Sequence, residues 1–218
     1  CINYFTEYMN QKNGKNSLGL DSIFEDLDNP IDLFKNWFKK AEETEVNDPN
    51  ALALGTADQK NQPSVRMVLL KGLSNEGFVF YTNFNSKKGS DLKNNQQASM
   101  CFYWKSLRRQ VRVIGKVQQV TDKEADEYYN SRPYKNRISA WASNQSKKLD
   151  SRDTFLKKIS EFEKKYPDQN NVPRPPHWSG WRILPKEIEF WLDGEGRIHE
   201  RLNYINNDSK WTKEILYP

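Results

Sequence analysis

His199 stands between Arg197 and Arg201 in the stretch WLDGEGRIHER, residues 191–201, in a chain with only two histidines. An imidazole changes charge in the physiological range, so it serves as acid, base or neutral hydrogen-bond partner. Two guanidinium groups beside it suit a bound anion. Trp191 opens the stretch, and the DGEG run is turn chemistry. Taken alone, the stretch reads more readily as a basic hairpin turn in solvent than as a site.

Four further clusters carry the same kind of chemistry. In RMVLLK, residues 66–71, an extended strand places Arg66, Val68 and Leu70 on one face and Met67, Leu69 and Lys71 on the other. Two cations on opposite faces are either solvated strand ends or partners for two different anions. In YTNFNSKKGSDL, residues 81–92, Tyr81 and Thr82 end a strand and Ser86-Lys87-Lys88-Gly89 leads into a short helix. Hydroxyls, lysines and helix N–H groups there suit a phosphate, although a lone KKG is more often a basic turn. Gln110, in WKSLRRQVRV, is a neutral amide at a strand start that could read ring N–H and C=O groups, although such an amide is far more often a surface residue. Tyr128, Arg132 and Arg137 lie at a helix end in YYNSRPYKNR, with Gln145 and Ser146 following in ISAWASNQS; alone, this cluster reads as a fraying basic terminus.

The elements that must hold these residues are short. Residues 1–28 are polar and weakly patterned, and read as a flexible N-terminal arm; residues 29–218 read as a single domain. A helix is predicted from Asn29-Pro30, with Leu33, Phe34, Trp37, Phe38 and Ala41 on one face. ALALGTAD, PSVRMVLLKGL, GFVFYTNF, ASMCFYW and RQVRVIGKVQQV read as strands, and LSNEG as a hairpin connection. Thr121 and Glu124 form a capping-box pattern ahead of a helix that ends at Pro133. SRDTFLKKISEFEKKYP reads as a second helix, with Phe155, Ile159 and Phe162 on one side. Strands EIEFWLDG, RIHERLNYI and KWTKEILYP close the chain, and Arg197, His199 and Arg201 would share a face of the second. Helices do not alternate with strands, so the fold class is α+β: an antiparallel barrel with peripheral helices.

Bulk properties narrow the function. The 218 residues carry a net charge of +5, with 13% aromatic residues, and the isoelectric point of about 9.0 favours anionic partners. Mean hydropathy is low, at −0.96. Cys1 and Cys101 form no CxxC, and with two histidines they leave no metal site to expect. Such cysteine usage fits a reducing, cytoplasmic setting. No apolar run approaches the ~20 residues needed to span a bilayer, and the first residues lack the apolar core of a signal peptide. GEGRIH lacks the third glycine of a dinucleotide fingerprint, and neither GxxxxGK[ST] nor GxSxG occurs.

RMVLLK, FYTNFNSKK, RQVRVIGK, the SRP…AWASNQS segment and IEFW…RIHER occur in that order. From about residue 30 to 218 the chain thereby resembles the pyridoxine/pyridoxamine 5′-phosphate oxidase family. The resemblance implies a split β-barrel, a homodimer and FMN shared across the subunit interface. It implies oxidation of pyridoxine or pyridoxamine 5′-phosphate to pyridoxal 5′-phosphate, with O₂ reduced to H₂O₂ by way of hydride transfer to the flavin. FMN would be held by the run Arg66, Met67, Val68, Leu69, Leu70 and Lys71, by Tyr81, Thr82, Lys87 and Lys88, and by Gln110, Gln145, Ser146, Trp191 and Arg201. Lys71, Tyr128, Arg132 and Asn136 would grip the substrate phosphate. Arg197 and His199 would lie against the substrate ring as the catalytic pair. Arg66 and Lys71 then serve two different phosphates.

Three positions depart from the family pattern. Lys87 stands where arginine is frequent, and Asn136 where a serine commonly assists. The arm lacks a recognisable basic lid, with Tyr8 and Lys15 as weak substitutes. Competing readings are another split-barrel flavoprotein, a silent flavin or pyridoxal-phosphate carrier, and a basic nucleic-acid-binding module suggested by CFYWKSLRR. The substrate-side cations argue against the first, since binding flavin needs none of them. The last would bind in a strongly salt-dependent way and need no flavin.

Overall fold

The computed structural model describes residues 14–208 and 210–218. Where the sequence suggests a single domain, contacts divide the chain into two compact units. The first contains the described residues up to Pro49, with Cys101–Val113 and Lys186–Pro218; the second contains Asn50–Met100 and Ile114–Pro185. Three strands, β5 (Gln97–Trp104), β6 (Arg109–Gln119) and β7 (Trp178–Leu192), run from one unit into the other. This continuity is why no composition break marks a boundary in the sequence.

The first unit is built on an aromatic core. Helix α1 (Pro30–Thr44) starts where Pro30 occupies the first turn and the Asn29 side chain accepts from the Ile31 N–H at 3.0 Å. Its buried face, Ile31, Leu33, Phe34, Trp37 and Ala41, meets Phe102 edge-on at 5.0 Å from Phe34 and Phe190 at 5.2 Å from Trp37. Rings of this size dominate core energetics through buried area. Strand β7 pairs antiparallel with β8 (Glu200–Asn207), which pairs with β9 (Lys210–Ile215).

Part of the expected flexible arm is anchored instead. Phe24 is fully buried and packs tilted against Trp37, ring centroids 5.3 Å apart. Trp37 Nε1 donates to the Ile23 carbonyl and the Tyr204 hydroxyl to that of Leu27, each at 2.8 Å. Residues 14–28 look featureless in sequence because their few apolar anchors, Leu20 and Phe24, obey no period. Lys15 is occupied by Glu200 at 2.8 Å; Tyr8 and residues 1–13 lie outside the described residues.

In the second unit the strands lie in the order β2-β1-β5-β6-β7-β4-β3. Strand β1 (Ala51–Ala57) pairs antiparallel with β2 (Pro63–Leu69), and β3 (Gly72–Ser74) with β4 (Gly77–Asn83) across the LSNEG turn. Gly77 sits at φ 142°, and a Cβ there would lie 1.9 Å from the Ile183 carbonyl oxygen. The turn therefore requires glycine. Helices α2 (Lys87–Asn94), α3 (Asp122–Ser131), α4 (Tyr134–Ala142) and α5 (Arg152–Lys165) flank the strands. Thr121 and Glu124 form the reciprocal capping box expected of them.

Two further expectations need correction. Strand β7 begins at Trp178, not near Glu187, and runs through Pro185; an internal proline argues against a central strand, which hides the first half from a pattern reading. Arg197, His199 and Arg201 do not share a strand face. Residues Glu195–Arg197 form a 3-10 turn, and β8 starts only at Glu200. No described helix is long and apolar enough to cross a membrane.

Candidate functional site

Most of the predicted site residues in the second unit converge on one cavity of about 540 Å³, within the range of small-molecule pockets. Its walls include Met67, Val68 and Leu69 of β2, Lys71 beyond the end of that strand, and Tyr81 and Thr82 of β4. Lys88 from α2, Tyr128 and Arg132 from the end of α3, and Gln145 after α4 complete the cationic side. Lys71, Lys88 and Arg132 thus face the cavity, and no described residue lining it is acidic. A space with three cations and no carboxylate is electrostatically incomplete without an anion.

Local structure explains how each cation arrives there. Arg132 caps the C-terminus of α3 and lies over the Trp178 ring, its Cζ 4.7 Å from the centroid. Tyr81, Tyr128 and Trp178 form a near-parallel stack, with 4.0 Å between Tyr81 and Tyr128 and 5.4 Å between Tyr81 and Trp178. Burial raises the pKa of both tyrosines and lowers that of Arg132, although a guanidinium stays charged throughout the physiological range. Arg132 Nη1 is buried with no hydrogen-bond partner among the described residues. An orphaned cationic donor beside an acid-free cavity fits a ligand oxyanion.

Lys87 and Lys88 are adjacent in sequence but face different partners. Lys87 Nζ bonds Asp91 at 2.6 Å, one turn along α2. Lys88 Nζ donates to Gln145 Oε1 at 2.9 Å, and burial, followed by repulsion from Arg66, depresses its pKa. Both lysines sit in the first turn of α2, where Ser86 caps the helix by accepting from the Gly89 N–H at 3.2 Å. Cations at a helix N-terminus oppose the macrodipole, so this cluster also favours a bound anion.

Arg66 occupies the other face of β2, as alternation predicts. Its Nη1 donates to Thr56 Oγ1 at 2.7 Å and to the Leu54 carbonyl at 3.0 Å, while Nη2 bonds the Ser64 hydroxyl and lies 3.8 Å from buried Asp91. Arg66, Leu70, Lys87, Asn136 and Ser146, all expected contributors, do not line the cavity. Asn136 is exposed on α4, whereas Ser139, one turn along, does line it. Ser146 is exposed at φ 70°, beyond Gln145. Leu70 is buried behind the cavity-lining run.

Sequence reasoning passed over Asn83, Ser139, Ala140, Ser143, Phe155 and Trp178, which complete the walls. Trp178 alone had a legible signal, as an aromatic residue directly after the proline-rich connector. Ser139 lies on α4 and Ser143 caps its C-terminus, and that helix is absent from the sequence pattern. Among the described residues no group of His, Cys, Asp or Glu is arranged to hold a metal.

The remaining predicted residues belong to the first unit. Gln110 is the second residue of β6 and half-buried. Trp191 and Arg201 are register partners across β7 and β8. Arg201 Nε bonds Glu189 Oε1 at 2.8 Å and its Nη1 donates to the Tyr217 carbonyl at 2.8 Å. Glu189 is buried and takes Arg112 Nη2 on its other oxygen at 2.5 Å. His199 packs against Trp191, ring centroids 4.7 Å apart. Its Nδ1 accepts from the Gly194 N–H at 3.1 Å and stands 3.1 Å from Asp193 Oδ1. These are exclusive roles: the first leaves the ring proton on Nε2, and the second requires a proton on Nδ1. A Cβ on Gly194 would sit 1.8 Å from the Ile198 oxygen, and Arg197 adopts φ 67°. The tight loop therefore aims Arg197 outward, where it is exposed.

Comparison with known proteins adds independent findings. Residues 38–166 match the family model described as pyridoxamine 5′-phosphate oxidase. Residues 178–218 match that of the pyridoxine 5′-phosphate oxidase C-terminal dimerisation region. The chain is 60% identical over 207 residues to a pyridoxine/pyridoxamine 5′-phosphate oxidase of Pelagibacter ubique, covering 94% of this chain and 100% of that one. It is 50% identical over 199 residues to the protein of the same name from Agrobacterium fabrum, covering 90% and 96%. Among solved structures it is similar to PhzG from Burkholderia lata in complex with tetrahydrophenazine-1-carboxylic acid, with a TM-score of 0.85 and 29% identity, covering 94% of this chain and 100% of that one. A pyridoxamine 5′-phosphate oxidase-related, FMN binding protein from Nostoc punctiforme shares the fold, with a TM-score of 0.68 at 18% identity, covering 85% and 97%. The fold is the antiparallel split barrel that the sequence motifs imply.

Proposed function

The chain belongs to the pyridoxamine 5′-phosphate oxidase family, and from that premise we propose that it oxidises pyridoxine or pyridoxamine 5′-phosphate to pyridoxal 5′-phosphate at the expense of O₂. Pyridoxine phosphate and O₂ give pyridoxal phosphate and H₂O₂; pyridoxamine phosphate also consumes water and releases ammonia. The observation that carries the reading is the acid-free cavity faced by Lys71, Lys88 and Arg132, with the buried Arg132 Nη1 left without a partner.

FMN, the family's cofactor, supplies the two-electron chemistry that no side chain here offers. The chain's own residues bind and orient. Lys88 and Arg66, close enough for the charge of one to depress the pKa of the other, would share the flavin phosphate. Tyr81, Thr82, Gln145 and the 67–71 run would border the flavin. Lys71, Tyr128 and Arg132 would hold the substrate phosphate, and the Tyr81–Tyr128–Trp178 stack would exclude water from that end. Gln110, Trp191, Arg197, His199 and Arg201 would complete the site in a homodimer, a reading supported by the matched dimerisation region. There Arg197 and His199 would contact the substrate ring. Lys87, tied to Asp91, would contribute field rather than contact, and Asn136 and Ser146 would act from outside the cavity wall. A cytoplasmic setting belongs to the same proposal.

The decisive experiment is direct. Purified protein is reconstituted with FMN, checked for flavin absorbance, and assayed for O₂ uptake and H₂O₂ with pyridoxine and pyridoxamine phosphates. Stoichiometric flavin with phosphate-dependent turnover supports the proposal. A protein that cannot retain FMN, or that holds it yet turns over neither substrate, refutes it.

A further inference from the structure

Arg132 and Tyr128 reach the cavity from the C-terminal end of α3, so whatever sets that helix against the cavity floor sets their position. Two charged side chains from other elements, Arg182 and Arg174, face the helix's N-terminal half. Glu124 bonds Arg182 of β7, which also pairs with Glu76 at 2.7 Å. Lys123 lies 3.9 Å from Glu127 on the solvent side. The second is Arg174, in the proline-rich connector ahead of β7. Its Nε bonds Asp126 Oδ1 at 2.6 Å and its Nη2 bonds Asp122 Oδ1 at 2.8 Å. Its Nη1 donates to the backbone carbonyl of Trp178 at 2.9 Å. Asp122 and Asp126 are four apart, so they share one helix face and present two acceptors to one planar fork.

Trp178 is the residue on whose ring Arg132 lies, 4.7 Å from guanidinium carbon to centroid. One partly buried side chain, Arg174, therefore joins the start of α3 to the backbone of Trp178, against whose ring Arg132 lies. Its side chain is 13% exposed, against 83% for Asp122 and 53% for Asp126. Asymmetric burial of this kind argues that the bracket is set from the connector and that the aspartates come to it.

We propose that Arg174 is a positioning residue for recognition of the substrate phosphate, holding α3 in register with Trp178 so that Arg132 and Tyr128 meet the oxyanion. The role rests on the proposed function, because it presupposes that Arg132 binds that phosphate. All three nitrogens of the guanidinium are committed. Neither a lysine, with one compact ammonium, nor a glutamine, with two amide hydrogens, can span the three acceptors.

The test compares Arg174→Gln, Arg174→Lys and Arg132→Ala in the FMN-loaded enzyme, each assayed with pyridoxine phosphate and with unphosphorylated pyridoxine. Arg174→Gln should raise KM for the phosphorylated substrate about tenfold, as expected of a sub-ångström misplacement of a binding group. Its kcat, FMN affinity and kcat/KM for pyridoxine should stay at the parent values. Arg174→Lys should fail to restore KM. In an Arg132→Ala background Arg174→Gln should add no further loss, since the group it positions is gone. A purely structural role would lower Tm and both substrates' kcat/KM together, and that outcome overturns the inference. So does an unchanged KM in Arg174→Gln when Arg132→Ala raises it. If Arg132→Ala itself leaves KM unchanged, it is the phosphate-site reading that falls.

Discussion

Glu189 offers a sharp test of what holds the first unit together. Its side chain is 3% exposed and each carboxylate oxygen takes one guanidinium, Arg112 at 2.5 Å and Arg201 at 2.8 Å. Glu189→Gln keeps the shape and lets one oxygen still accept from Arg201 Nε. The new amide, however, turns N–H groups towards Arg112, donor facing donor, and removes the negative charge between two cations. A hydrogen bond to a charged group contributes about 1.5–3 kcal/mol net, and breaking a buried pair costs about 3–5 kcal/mol. The guanidinium groups are partly exposed, at 44% and 25%, so water recovers part of that cost. The expected loss is therefore about 2–3 kcal/mol, or roughly 4–12 °C in Tm for a chain of this size. Urea unfolding of the FMN-loaded protein, followed by tryptophan fluorescence, reads the change, with exposed Glu42→Gln as a control expected to leave the midpoint in place. A loss below about 0.5 kcal/mol, the range of ordinary surface substitutions, would show that the buried charge contributes nothing net and refute the reasoning.

The other predictions concern charge placement. Lys88→Met should weaken FMN binding by about 10- to 100-fold in a fluorescence titration, whereas Lys87→Met should change it by less than about threefold because Asp91 already occupies that ammonium; equal effects would contradict the different orientation of the two lysines. Hydrogen bonds from Thr121, then the Arg182 charge, hold the Glu124 carboxyl below its ordinary pKa of 4.5. A depressed acid stabilises the fold above its unfolded value and loses that contribution as pH falls through the folded one. Below pH 4.5, then, the parent should lose stability more steeply than Glu124→Gln, and parallel pH–Tm curves would remove Glu124 from the account.

Local signals in the sequence were reliable where one or two residues decide the outcome. Asn29-Pro30 starts α1, Thr121 and Glu124 cap α3, and LSNEG joins β3 to β4. Each rests on hydrogen bonds or sterics within a few residues. Helix α4 escaped because its N-cap, Pro133, makes no side-chain capping bond, which leaves only a weak periodic pattern to find. Residues 14–28 escaped because their anchors are partners far along the chain, Glu200 and Tyr204. Ser139, Ser143 and Trp178 escaped for a related reason: they enter the cavity wall only once α4 and the early start of β7 are known.

By itself the sequence determined which residue types are available and which face of a strand each takes, so alternation alone parts Arg66 from Met67 and Leu69 on β2. Five motifs in order also determined the family. Tertiary structure decided which of the cations remain free for a ligand. Lys87 and Lys88 are indistinguishable as letters, yet one is neutralised by Asp91 and the other faces an acid-free cavity. The sequence pattern puts Arg197 and His199 on one strand face, yet the 3-10 turn Glu195–Arg197, closed by the Ile198 N–H on the Glu195 carbonyl at 3.1 Å, separates them. The physical reason is common to both cases: a charge's availability depends on what folds against it, and neighbours brought together by packing leave no trace in local spacing.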